Sequence, residues 1–534
     1  MMRRLFSAAL FVFSAACVSV PPPATQPARF KILQINDVYK IEGLAGGTSG
    51  GMARVRAFRE HIESDGTPVL VLHAGDFLYP SVMSRYLDAR QMIDVMNLLD
   101  GDPNAADPKL IVTLGNHEFD KSKPDTLLAR LSESQFQWVS SNTLYCNSLT
   151  DCPQPFRSKA PELKDTVVVD AGGTRVGIFG ILYRMSDDER KGKEYFNTTD
   201  VTAAARASIA SLRAQGARVI VALTHQEMPD DEQLVRDVPE IDLVIGGHDH
   251  LYMQGRVGST WITKADADAK SVIVYDVAVP PRGPIRTTPV RVTLDATVPK
   301  DPEVSAAVAR WQSQLGPKLP EKQFCVLGQT RNLLEGTEPA VRGRETALGN
   351  MLADIIRDNT GTQIAFINGG GIRINDDIPP GPITNYDLEG IVYYDNELVS
   401  FDLTGRDIME ILTNSVSRAD SGAGRFLQIS GMRFRYRKDG DQFKVTEAWV
   451  GDQPVNPEKK YSASTLSFVY EQGIEDGYEI FTDGRRPPET KPRVKGYKAL
   501  TRDYIRKANP VTKDIEGRIV RDDGGEAAAV PTCP

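Results

Sequence analysis

Residues 111–120 read Ile111-Val112-Thr113-Leu114-Gly115-Asn116-His117-Glu118-Phe119-Asp120, an apolar run that stops at a glycine and turns polar. The run over 110–114 has the length and β-branched content of a buried strand, and Gly115 marks the turn that ends it. Asn116, His117 and Asp120 then lie at a strand's carboxyl end, where open α/β sheets place their chemistry. An amide oxygen, an imidazole and a carboxylate so close together offer a metal ligand and an acid/base pair.

Four further stretches repeat the pattern: Asn36-Asp37-Val38-Tyr39, Gly75-Asp76, Thr224-His225 and Gly246-Gly247-His248-Asp249-His250. Each follows an apolar or alternating run, over 30–35, 69–72, 219–223 and 243–245 in turn. Of 6 histidines in the chain, four (His117, His225, His248 and His250) fall at these strand ends. Unrelated turns do not gather histidine in this way, so a metal site built from several strand ends is expected.

A length of 534 residues exceeds one ordinary core, so two domains are expected. The net charge of -8 argues against a bulk electrostatic partner such as a nucleic-acid polymer. Small anionic substrates remain compatible with it, because bound cations dominate the local field.

At the N-terminus, Arg3 and Arg4 precede a mostly apolar run over 5–13 and then Ser14-Ala15-Ala16-Cys17. This reads as an export signal, too short to span a membrane. The residues before Cys17 resemble a bacterial lipobox, with Ser14 where an aliphatic residue is usual. Lipidation at Cys17 and ordinary secretory cleavage are both open, the first making the membrane a partner through a lipid anchor alone. The proline-bearing stretch that follows, to residue 29, reads as a stalk. Cys146 and Cys152 bracket a polar loop and are expected to pair. Cys325 with Cys533 is a second candidate pair, free thiols being the alternative.

From 30 to about 300, strands alternate with amphipathic segments: helices over 52–62, 89–99 and 201–215, and a hairpin over 166–181 turning at Gly172-Gly173. The alternation predicts a layered α/β domain. A linker helix is expected over 302–315, within a connecting segment 301–320. A second domain follows over 321–520, with a helix over 345–358 and a strand over 363–367. The tail, 521–534, reads as flexible.

Asp37, Asp76, Asn116, His225, His248 and His250 are hard or borderline O and N donors, suited to Zn²⁺, Mn²⁺, iron or cobalt. Six ligands are too many for one tetrahedral ion and suit two ions sharing a carboxylate, a device for phosphoryl hydrolysis. At this point the motifs resemble the calcineurin-like metallophosphoesterases, and with the second half they resemble the 5′-nucleotidase/UDP-sugar hydrolase family. The second half carries Glu345-Thr346-Ala347-Leu348-Gly349-Asn350, Asn368-Gly369-Gly370-Gly371-Ile372-Arg373, Phe426-Leu427-Gln428-Ile429-Ser430-Gly431 and Asp476-Gly477-Tyr478 in the family's order.

The resemblance implies a four-layer α/β/β/α sandwich followed by an α/β nucleotide-binding domain, and two divalent ions such as zinc or manganese. It implies that Asp76 bridges the ions, that Asn116, His225 and His248 complete one site, and that Asp37 and His250 belong to the other. His117 paired with Asp120 would be the catalytic pair, since a carboxylate beside an imidazole favours its proton-donating form. For substrate it implies base stacking on Phe426 and Tyr478, nucleotide contacts from Asn368 and Arg373, and ribose hydroxyls on Asp483. Arg342 and Arg344 either meet the nucleotide or face solvent.

Two departures stand out. The family's first motif is Asp-x-His, with a ligating histidine, and here it is Asp37-Val38-Tyr39. Tyr79, three residues after Asp76, has a spacing similar to the iron-binding tyrosine of purple acid phosphatases. Tyr79, or in second place Tyr39, is therefore a candidate ligand to iron in one site, water filling the vacancy being the alternative. The stretch Thr260-Trp261-Ile262-Thr263-Lys264-Ala265-Asp266 replaces a glycine-containing one and loosens the inference about substrate. The resemblance implies a 5′-nucleotidase, which with the N-terminal signal would be an exported enzyme, expected as a monomer or dimer. The alternatives are a 2′,3′-cyclic-nucleotide phosphodiesterase/3′-nucleotidase, a UDP-sugar hydrolase, and a nucleotide-binding protein without turnover.

Overall fold

The apolar runs that end in polar turns are strands, and they lie side by side. A computed structural model of the chain describes residues 27–187, 189–319, 325–474 and 476–523. In its first half a seven-stranded sheet runs in the order 289–293, 271–279, 28–35, 69–73, 107–113, 136–139, 163–164. A six-stranded sheet runs 253–257, 260–264, 243–247, 219–225, 174–182, 166–171. In the first, Ala28–Ile35, Val69–His73 and Asp107–Thr113 are parallel neighbours, and Ile35 stands opposite His73 and His73 opposite Val112. In the second, Val219–His225 is parallel to Leu243–Gly247, with His225 opposite Gly247. Parallel register thus brings all five motif turns to one rim.

The central strands of both sheets are buried on both faces, which is why they read as near-continuous apolar runs. Phe30, Ile32, Leu70, Leu72 and Ile111 of one sheet pack with Val176, Ile178, Val219, Val221 and Leu243 of the other. Beyond the first sheet lies a core with Met52–Glu63, Arg90–Met96 and Pro302–Leu315; beyond the second, one with Val201–Ala214 and Met228–Asp237. The result is the expected α/β/β/α sandwich. The helix Pro302–Leu315 has the predicted bounds, set by the Asp301 side chain accepting from Val304 N–H and by proline in its first turn. It is no free linker, because Val304, Ala307, Val308 and Leu315 join the first domain's core.

The expected helix over 89–99 is present as Arg90–Met96, and a separate helix, Val82–Leu87, precedes it, the two parted by Asp88 and Ala89 at φ 53° and 57°. The guanidinium of Arg130 donates to the Asp88 carbonyl at the break, a tertiary contact that helical periodicity does not report.

The second half centres on a four-stranded sheet, 398–404, 460–466, 364–368, 427–430. Ala347–Thr360, capped by Thr346 and ended by Gly361 in the left-handed region, packs on it. A second four-stranded sheet, 453–454, 442–450, 432–439, 519–521, completes the domain. Cys146 and Cys152 form the expected disulfide. The export and lipidation reading of Cys17, the Cys325–Cys533 pairing and most of the tail fall outside the described residues, while Cys325 itself is exposed.

Candidate metal centre and interdomain cleft

Four of the six expected ligands sit in backbone conformations that side chains rarely adopt: Asp37 at φ 52°, Asp76 at 57°, His248 at 84° and His250 at 61°. Such strain survives only where its surroundings over-determine it, and it clusters at functional sites. The determinant beside Asp76 is Glu118, which is fully buried. Its carboxylate accepts from the N–H groups of Asp76, Phe77 and Leu78 at 2.9, 2.9 and 3.0 Å and of Gly115 at 2.6 Å. Gly115 is obligatory there, since a Cβ on it would lie 2.1 Å from Asp76 Oδ1. Glu118 was missed, since an acid in an already polar turn carries no signal of its own.

The donors converge. Ligand atoms of Asp37, Asp76 and His225 all lie within 4.8 Å of one another. His225 Nε2 is 3.1 Å from both Asp76 Oδ2 and Asn116 Oδ1, and His248 Nδ1 is 3.2 Å from the same Asn116 oxygen. His225 Nδ1 donates to the Ala74 carbonyl at 2.7 Å, which leaves Nε2 as its ligating atom. His250 Nε2 is 3.3 Å from Asp37 Oδ1. All six expected ligands are brought together.

The electrostatics fit a cation. Burial opposes protonation of His225, yet Asp76 and Asp37 outweigh it and raise that imidazole to about 9. Burial likewise opposes protonation of His250, and the carboxylates of Glu338 and Asp37 raise it to about 10. Asp76, which burial alone would raise, is held far below the carboxylate range by His225 and His117. The carboxylates demand positive charge, which divalent ions would supply in place of the histidine protons. Among the described residues, these O and N donors form the one set that meets the expectation of a metal centre.

The tyrosines divide in the opposite order to that expected. Tyr39, the second choice, places its hydroxyl 2.9 Å from His250 Nε2, 3.2 Å from Asp76 Oδ2 and 3.5 Å from Asp37 Oδ1. Tyr79 does not reach the cluster: its buried hydroxyl has no hydrogen-bond partner, and the Lys121 ammonium lies over its ring at 4.8 Å. His73 is a core residue. Both its ring nitrogens are unpartnered, it packs on Phe77, and burial pulls it down to about 4.

The stretch over 260–266 serves the metal turns rather than the substrate. Lys264, fully buried, donates to the carbonyls of Gln226 and Gly247 and pairs with Asp249 at 2.7 Å and Asp231 at 3.1 Å. One ammonium thus ties the His225 turn to the His248 turn.

His117 Nδ1 meets Asp120 Oδ2 at 3.0 Å, and its Nε2 faces Arg373 Nη2 of the second domain at 3.5 Å. Here the two domains enclose a cleft with two arms. One, of about 630 Å³, is lined by Tyr183, Tyr393, Tyr394 and Phe468. The other, of about 800 Å³, is lined by charged groups including Glu227, Asp249, Arg418 and Lys438. Asn116, His117, Arg342, Arg373 and Asp476 line both, so the arms meet beside the metal cluster.

Asn368 also lines the aromatic arm, with its Oδ1 buried and unpartnered. Arg342 faces the cleft, whereas Arg344 pairs with Glu335 and is part exposed. Three expected substrate residues are elsewhere. Phe426 and Tyr478 are buried in the second domain's core, the Tyr478 hydroxyl on the Arg425 carbonyl. The Asp483 side chain is fully exposed beside Arg486. The aromatic rings that do face the cleft, Tyr394 and Phe468 among them, were missed, and the doublet Tyr393-Tyr394 was the only signal for them.

A calcineurin-like phosphoesterase model matches residues 30–252, and a 5′-nucleotidase C-terminal domain model matches residues 326–483. The chain is 26% identical over 500 residues to the trifunctional nucleotide phosphoesterase of Bacillus subtilis, an alignment taking in 86% of this chain and 33% of that longer protein. It is 25% identical to the snake venom 5′-nucleotidase of Gloydius brevicauda, over 92% of this chain and 89% of that one. Among solved structures, a 5′-nucleotidase precursor from Thermus thermophilus superposes with a TM-score of 0.75 at 25% identity, covering 93% of this chain and 100% of that one.

Proposed function

The chain belongs to the family that joins a calcineurin-like phosphoesterase domain to a 5′-nucleotidase C-terminal domain, hydrolases of phosphoester bonds, and on that premise we propose that it removes phosphate from nucleoside monophosphates with two divalent cations. The observation that carries this reading is the junction of the cleft, where the metal-ligand cluster, His117 and two arginines of the second domain face one another beside an aromatic chamber. A volume of about 630 Å³ is in the range of small-ligand sites.

Asp37, Asp76, Asn116, His225, His248 and His250 would hold the cations, which supply Lewis acidity toward the phosphoryl group when bound. Arg373 and Arg342 bind and orient the phosphate oxygens, planar donors suited to that geometry. His117 is fixed through Nδ1 by Asp120, so Nε2 is the atom at which the pair takes up or gives a proton. Tyr394, 44% exposed, and Phe468 offer rings for the base.

The second, charged arm of about 800 Å³ supports a second reading, that phosphorus bears a substituent on each side, as in a cyclic diester or a nucleotide sugar. Phosphate release from AMP, 2′,3′-cyclic AMP and UDP-glucose, the last two coupled to a phosphatase, decides between them. Release from AMP alone supports the monoesterase; turnover of only the other two overturns it. Residues 1–29 carry the proposal of export with lipidation at Cys17. Cys17→Ser should then move the protein from the membrane fraction to the soluble one, and an unchanged distribution removes the anchor.

A further inference from the structure

One contact at the metal centre crosses between the domains. His250 follows the strand Leu243–Gly247 of the first domain, and Glu338 opens the helix Glu338–Val341 of the second. Glu338 Oε2 receives His250 Nδ1, the ring nitrogen that points away from Asp37. Its other oxygen, Oε1, accepts from Arg342 Nη2 at 2.6 Å and lies 3.6 Å from Arg373 Nη1. The residue is buried, and its backbone N–H donates to Asn375 Oδ1 at 3.1 Å. Asn375 in turn donates to Asp268 Oδ2 of the first domain at 2.7 Å, while Asp268 Oδ1 accepts from Tyr39 N–H at 2.8 Å. Glu338 is thus placed from two directions, against a residue 88 positions earlier in the chain.

A ligating imidazole needs a partner on its other nitrogen, which fixes its tautomer and aim and strengthens it as a donor. His225 finds this partner in the Ala74 carbonyl of its own domain. His250 finds it in the other domain. Resting on the metal-centre reading above, we propose that Glu338 is a positioning residue for His250, supplied across the domain boundary, so that metal binding by the first domain and closure of the second are thermodynamically linked. Linkage is reciprocal: closing the cleft tightens the metal, and the metal favours closure. Because Glu338 also holds Arg342 and Arg373, the same carboxylate connects the cations to the groups that receive the phosphate.

The test uses the full chain stripped of metal and titrated with Mn²⁺ alone by calorimetry, as wild type, Glu338→Gln, Glu338→Asp and His250→Ala. Glu338→Gln should weaken one Mn²⁺ site by about 10–100-fold and leave the other unchanged. Glu338→Asp, which keeps the charge on a shorter arm, should fall between them. Wild-type affinity in Glu338→Gln overturns the proposal. Where thermal unfolding of the metal-free protein shows that the Gln variant is not folded, the Asp variant is read instead: intermediate affinity supports the proposal and wild-type affinity overturns it. His250→Ala separates the two ideas. Loss of a site in it, with Glu338→Gln at wild-type affinity, leaves the metal centre standing and removes Glu338; no loss in it removes His250 as a ligand and the proposal with it.

Discussion

Tyr39 stands where the family's first motif has a ligating histidine, and its surroundings say what kind of group it is. Without a cation, burial and the carboxylates of Asp76 and Asp37 push the phenol well above its ordinary range, and its hydroxyl hydrogen-bonds both carboxylates. A neutral phenol is a poor metal ligand. Replacing it by imidazole, Tyr39→His, should therefore tighten one metal site by at least about tenfold, the scale on which partners of metal ligands act. Metal titration of the two proteins measures this, and the wild type should be colourless. A tyrosinate-to-iron band in the visible spectrum of active wild-type protein would show a phenolate ligand and sink the assignment. At this scale the convergence of the six expected donors was legible, because histidine gathered repeatedly at the ends of apolar runs has little reason to be there but chemistry. The stacking residues were not. An aromatic side chain reads the same whether it fills a core, as Phe426 does, or faces a cleft, as Tyr394 does, and only the packing of neighbouring elements decides.

The elements were legible wherever one local rule governed them. Strands buried on both faces had to be apolar throughout, and the helix Pro302–Leu315 carried its own start signal in Asp301-Pro302. The rule fell short where a distant residue acts, as Arg130 does at the Asp88 carbonyl ahead of Arg90–Met96. Glu118 is the functional case of the same failure. Its carboxylate accepts from four backbone N–H groups of two turns, and such charge-assisted bonds are about twice as strong as neutral ones. It thereby holds Asp76 in a left-handed conformation that short-range sequence preference opposes. Lys264 does the equivalent for the turns of His225 and His248. The sequence displays the ligands, whereas the residues that make them converge are displayed only by the fold.

At the scale of the molecule, the two halves meet around the cleft through contacts that no local pattern contains. Tyr386 donates to Glu42 Oε1 at 2.6 Å, Asn375 to Asp268 at 2.7 Å, and Arg418 pairs with Glu227 at 2.6 Å near the rim. The buried cores of the two halves are distinct clusters, and these contacts join His250–Glu338 and the packing beside Tyr386 and Tyr393 in holding the halves together. Polar interfaces of this kind permit relative domain motion. With the expected metal ligands in one half and the arginines proposed to take the phosphate in the other, substrate entry and product release are expected to involve opening of the junction, a step that sets the pace of many enzymes. The helix Pro302–Leu315 packs into the core of the first half. Cysteines introduced as Glu227→Cys and Arg418→Cys, at part-exposed positions on opposite sides of the rim, allow the halves to be joined by a short thiol cross-linker. Cross-linking should lower kcat by at least about tenfold, the scale expected when a gating motion is blocked and chemistry is untouched. A reducible linker should restore kcat on cleavage, with metal content constant throughout, since the closed form is the one that completes the His250 site. An unchanged kcat in the linked protein would show that turnover does not need the halves to part, and that the substrate reaches the junction through the open arms of the cleft.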